Sequence, residues 1–154
     1  MTDTIREDIL QDVATTLAGL TVANGYHYNL GSTVERARHT WQDHELPAVS
    51  IWDTTETVSA RGFGTLDIDL ELQVDAVLAH DPDTINPSVA INRALGDVIK
   101  IMTTGDSTRG DLARATQYTS SSIAYPEPGA SGIVASVLFN LNYTVVKGDP
   151  FTSA

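Results

Sequence analysis

The chain has 154 residues, no cysteine, and 20 acidic residues against nine basic ones, for a formal net charge of −11. That length points to one domain over residues 1–154, and the missing cysteines exclude disulfides and thiolate metal sites. So large an acidic excess argues against gripping nucleic acid or an anionic membrane, since that affinity comes from Lys and Arg neutralising phosphates.

The N-terminal MTDTIREDILQDV is acidic and amphipathic, unlike a signal or transit peptide, and fits an intracellular chain. No apolar run approaches the roughly 20 residues that span a bilayer as a helix. Thr4 and Glu7 have capping-box spacing. Ile5, Ile9, Leu10, Val13, Leu17 and Leu20 then recur at helical spacing, with Gly19 near the expected end. In YHYNLGSTVERAR, residues 26–38, the pattern is ambiguous, and Val34, Arg36 and Arg38 share a face of a strand interrupted at Gly31. LPAVSIW, 46–52, reads as a strand with Pro47 near its start. DTTETVSARGFG reads as a loop or an extended hairpin arm turning at Gly62 and Gly64.

The segment TLDIDLELQVDAV, 65–77, alternates strictly and is expected to run as a strand to about His80. Its even positions are apolar, while its odd positions carry Asp67, Asp69, Glu71 and Asp75 with no basic residue between them. Successive side chains of a strand face opposite ways, so the row of carboxylates turns away from the core. Asp81-Pro82-Asp83 and Asn86-Pro87 punctuate the chain. A helix is expected over 88–102, with Ile91, Leu95, Val98, Ile99 and Met102 on one face. TTGDSTRGD is a loop. Strands follow at about 115–125 and 131–147, joined by PEPGASG, and the tail KGDPFTSA, about 148–154, is expected to be irregular and flexible. The fold class is therefore α+β: a single layer of mostly antiparallel sheet, four to five strands, with two helices on one face.

No catalytic constellation stands out. His27, His39, His44 and His80 form no helical metal-binding pair, and Gly62-Phe63-Gly64 lacks the third glycine of a dinucleotide fingerprint. Phosphate loops and nucleophile elbows are missing, and the serines at 120–122 sit in a strand. Oxygen ligands such as Asp67, Asp69 and Glu71 suit a hard cation. Residues two apart on one strand diverge along a line, however, and do not by themselves surround an ion. The expected site is thus a charged surface, with no metal, cofactor or catalytic residue assigned.

Several pieces, in order, carry a family resemblance: IREDILQDVATTLAGL, VERAR, LPAVSIWD, TLDIDLELQVDAV, INRALGDVIKIM, a loop with GDLA, and a last strand into NYTVVKGDP. In this order and spacing the chain resembles the tail terminator (minor tail or tail completion) proteins of long-tailed bacteriophages, over nearly its full length. Its acidity and the segment from Tyr26 to Gly31 depart from that pattern. The resemblance implies an α+β structural protein of the virion, assembled in the host cytoplasm. Such proteins form a ring, taken as hexameric, that caps the head-proximal end of the tail tube and stops its growth. Its partners are further copies of itself, the tail tube protein and the head–tail connector or neck protein.

DNA passes through such a ring without specific binding, and a lumen lined by Asp67, Asp69, Glu71 and Asp75 would repel its phosphates. Ring closure needs a head-to-tail interface. Its candidates are Arg61 and Phe63 at the hairpin tip, Phe151 in the tail, and Arg36, Arg38 and Arg109 pairing with acidic surface of a neighbour. The alternatives are a neck or head-completion protein of the same virion, a small metal-dependent enzyme using the acidic strand face, and a generic scaffold or ligand-binding domain.

Overall fold

A computed structural model describes residues 2–79, 85–126 and 132–154. His80, the Asp81-Pro82-Asp83 punctuation and most of the PEPGASG connection lie outside the described residues.

Helix α1, Ile5–Leu17, begins where the Thr4 hydroxyl accepts the Glu7 backbone N–H at 3.1 Å. The reciprocal half of the box does not form, because the Glu7 carboxylate is taken by Arg36. The expected stripe is buried: Ile5, Ile9, Leu10, Val13 and Leu17. The ambiguous segment after it crosses the end of α1 so closely that a Cβ on Gly31 would lie 2.4 Å from the Ala18 carbonyl oxygen. It turns at Leu30–Ser32 and yields only the short strand β1, Val34–Arg36.

Strand β2, Ala48–Arg61, is longer than its sequence pattern suggested, since the arm DTTETVSAR continues the strand to the tip at Gly62–Gly64. Strand β3, Thr65–Ala79, follows, then helix α2, Pro87–Thr103. Pro87 occupies the first turn of α2, where its missing N–H costs nothing, and the Asn86 side chain accepts the Ser88 N–H. Strands β4, Ala115–Ala124, β5, Gly132–Val146, and β6, Asp149–Ser153, complete the chain. The tail expected to be irregular therefore supplies a strand. Its N–H and C=O groups pair with Val145 and Val146 of β5, a use of backbone that side-chain patterning does not reveal.

The sheet order is β1-β2-β3-β5-β4, with β6 also on β5. Only the β1–β2 pairing is parallel. On one face, Ile68, Leu70, Leu72, Val74 and Ala76 of β3 stand opposite Tyr143, Leu141, Phe139, Val137 and Ala135 of β5. All ten are buried, in one cluster with the apolar stripes of both helices. Each Leu there contributes about 1.5–3 kcal/mol by leaving water. A one-residue slip would turn the carboxylates of β3 into that core, so the register is firmly set. The result is an α+β fold with both helices on one side of a single sheet.

Candidate functional site

The face away from the helices is built from cross-strand rows. Thr57, Asp69, Asn142 and Ala115 form one row across β2, β3, β5 and β4; Thr55, Glu71, Asn140 and Gln117 form the next; Ser50, Asp75, Ser136 and Ser122 form a third. Hydroxyls, amides and carboxylates dominate, so this face stays wet. Along it lies a shallow depression of about 360 Å³, lined by Asp69, Arg114, Ala115, Gln117, Asn140 and Asn142.

The four carboxylates of β3 do share this face, but they are not alike. Asp67 accepts from the Thr144 hydroxyl at 2.7 Å and pairs with the Arg114 guanidinium at 2.8 Å, so an arginine of its own chain offsets its charge. Position 114 lies 47 residues away, which is why no local pattern pointed to it. Asp69 accepts from the Asn142 amide at 2.7 Å and Asp75 from the Gln73 amide at 2.8 Å, both neutral partners. Glu71 is exposed and forms no ion pair among the described residues. Near Asp75 the face is partly covered: His39 stacks on Trp52 at 4.2 Å, and the Arg38 N–H donates to the Ser50 hydroxyl. The open, uncompensated acidity thus centres on Asp69 and Glu71, with Asp75 at its margin.

A metal site does not emerge from this row. Among the described residues no group of three or more His, Asp or Glu side chains gathers closely enough to hold an ion. Asp67 and Asp69 are each engaged by a different residue of β5, Thr144 and Asn142, and Asp75 by Gln73 of its own strand.

The candidate interface residues divide sharply. Arg61 and Phe63 stand exposed at the hairpin tip, Phe63 wholly so, and Phe151 on β6 is 46% exposed. Three arginines need correction. Arg36 makes a two-pronged contact with Glu7 at 2.6 and 3.0 Å, and Arg38 donates from one nitrogen, Nη2, to both Glu45 carboxylate oxygens at 2.6 and 2.8 Å while lying over the Trp41 ring. Both charges are compensated within the chain. Arg109 is 1% exposed, donating to the Thr116 and Thr16 hydroxyls and to the Met102 carbonyl, so it has no surface to offer a neighbour. Glycines and small polar residues surround it in sequence, so no local pattern marks it as buried.

Counting Arg6 and Arg114, five of the nine basic residues form ion pairs with carboxylates of the same chain. Among the described residues Arg61, Arg93, Lys100 and Lys147 form none, and two of these, Arg61 and Lys147, lie close together. The Lys147 N–H bonds the Gly64 carbonyl, so Arg61 and Lys147 both sit at the hairpin tip, while Arg93 and Lys100 lie on α2. One pair escaped sequence reasoning altogether: Asp97 of α2, 4% exposed, accepts from the His27 backbone N–H and faces its Nδ1, both at 2.8 Å. It ties the segment after α1 to α2, across 70 residues of chain.

No family model matches the chain, and no curated protein matches it either.

Proposed function

We propose that this chain is a structural protein of a long-tailed bacteriophage virion, a tail terminator. It closes into a ring on the head-proximal end of the tail tube, stops tube growth and presents a surface to the head–tail connector. One observation carries the reading. A single sheet buries one face under both helices and leaves on the other Asp69, Glu71 and Asp75, with no cation among the described residues paired to them. Like charges kept side by side on a wet face cost some stability, and a function that uses their repulsion accounts for that cost. In a ring with this face inward, they repel a passing duplex so that it slides without sticking.

The order of elements along the chain supports the same reading, as do the exposed Arg61, Phe63 and Phe151, which suit contacts between subunits or with tube and connector. Asp67 contributes less to the collar than its neighbours, because Arg114 offsets it.

The test is polymerisation of tail tube protein with and without this chain, followed by electron microscopy. Tubes of bounded length carrying a terminal ring are expected with it, and overlong tubes without it. Equal length distributions overturn the assignment. Co-purification with connector but not with tube identifies a neck protein instead.

A further inference from the structure

The sheet has two borders, and among the described residues no strand closes either along its full length. On one side β1 pairs with β2 only at Val49–Ile51, so from Asp53 to Arg61 no strand among the described residues lies against the outer edge of β2. On the other side the border is β4, continued toward the hairpin tip by β6. A free edge offers a row of unpaired N–H and C=O groups, and proteins usually blunt it with charges, proline or bulges. Strand β4, ATQYTSSSIA, has no charge and no proline along its ten residues, only a bulge beside Thr119. Six consecutive residues of it, Gln117–Ser122, are exposed. Such an edge invites a strand.

We propose that the strand is supplied by a second copy of this chain: the β4–β6 border of one subunit pairs with the distal half of β2 of the next. The inference rests on the ring reading above and specifies how the ring is sealed. Three features select this occupant. First, β2, β3, β5 and β4 alternate in direction, so the β2 of a rotated copy meets β4 antiparallel, continuing the sheet in its more stable pairing. Second, the two borders are different surfaces, and contact between them is the head-to-tail kind that closes rings. Third, the borders match in level. Arg61 stands opposite Leu66, Leu66 opposite Val145, and Val145 opposite Ser153 of β6. The unpaired Arg61 and exposed Phe63 of one copy therefore meet the stretch holding Asp149 and Phe151 of the next, basic and aromatic against acidic and aromatic. By the same rows, Thr57 falls level with Ala115 at the start of β4. The part of β2 that β1 occupies lies outside this overlap. Repeated around the ring, the junction keeps the acidic face of every copy on the same side.

Hydrogen exchange of the full chain tests this, comparing monomer with assembled protein, both concentrated alone and bound to tube ends. Amides in Thr55–Arg61 and in Thr116–Thr119, the stretch of β4 level with the free part of β2, are expected to exchange at least about tenfold more slowly in the assembly. Unchanged exchange at both edges overturns the inference, as does protection of β4 with β2 left open, which marks a two-fold β4–β4 dimer. Failure to assemble in either setting overturns it as well.

Two exposed-edge variants give a second measure: Thr57→Lys and Gln117→Lys are expected to melt like the parent yet lose its oligomeric mass. Asn92→Lys on α2 keeps the mass. Each lysine lowers the net negative charge, so added repulsion cannot explain a loss. Edge protection without any effect on tube length sustains the junction and removes the tail assignment, whereas capped tubes with open edges do the reverse.

Discussion

Arg109 is the residue whose removal should matter most for stability. Burial pushes its guanidinium below its ordinary pKa, while Asp12, at 3.5 Å, and Asp106 favour the charge. Its three hydrogen bonds reach α1, the end of α2 and β4, so one side chain ties three elements together. Arg109→Met keeps much of the stem but leaves those acceptors unsatisfied, and about 3 kcal/mol should be lost in a denaturant titration. Arg109→Lys should recover less than half, because an ammonium cannot span the fork. Acid sensitivity belongs to other residues. The hydrogen bond from Arg36 holds the Glu7 carboxyl below its ordinary 4.5, and the Gln42 N–H with Arg38 does the same for Glu45. A carboxylate with a depressed folded pKa stabilises above its ordinary value and ceases to as pH falls through the folded one. Melting temperature should therefore drop on acidification from about pH 5 to pH 3. Arg36→Met should flatten part of that drop. The Glu7–Arg36 pair is about a third exposed, so its share is at most about 1 kcal/mol.

Strand β3 makes the two-sidedness of the sheet measurable. Leu72 is fully buried against Phe139, and Leu72→Ala should cost about 2–5 kcal/mol. Glu71→Gln, one residue away, should stay within about 0.5 kcal/mol, because that side chain faces water. Equal costs in chemical denaturation would mean the face assignment is wrong. This element was legible in the sequence because half of it is buried, which imposes a period of two on residue choice. Both helices were legible for the same reason at their own period. The distal half of β2 was not. Its residues from Thr55 to Arg61 are exposed, so neither side of the strand leaves a pattern, and only the ladder to β3 makes it a strand. The short β6, with Pro150 inside it, is held by a few backbone contacts to β5 and was equally silent. The candidate site divides along the same line. That the four carboxylates share a face follows from spacing, whereas the neutralising Arg114 and the internal partners of Arg36, Arg38 and Arg109 are tertiary facts. At the hairpin tip, Phe63→Ala removes a side chain that touches nothing in its own chain. Melting should be unchanged while assembly weakens, and unaltered assembly would clear the tip of that role.

At the scale of the whole molecule, the question is whether the acidic face encloses a channel or merely decorates a surface. Topology of the nucleic acid can answer it. A duplex that must thread a preassembled ring needs a free end, whereas a duplex binding the outside does not. Glu71 is the position to change, since it is exposed and forms no ion pair among the described residues, so Glu71→Lys leaves the fold intact. Each copy then gains two units of positive charge at the centre of the collar. Parent rings should retain neither linear nor closed circular DNA, because phosphates meet carboxylates wherever they approach. Rings of the variant should retain linear duplex. Its release should steepen with salt, by about 0.9 in the log–log slope for each phosphate contacted. They should not retain closed circles, which cannot enter. If both forms bind equally, the lysines lie on the outer surface, and the carboxylates they replaced are no lining of a conduit. If neither form binds, the face is closed off between the subunits themselves, and the acidity serves an interface in place of a passage.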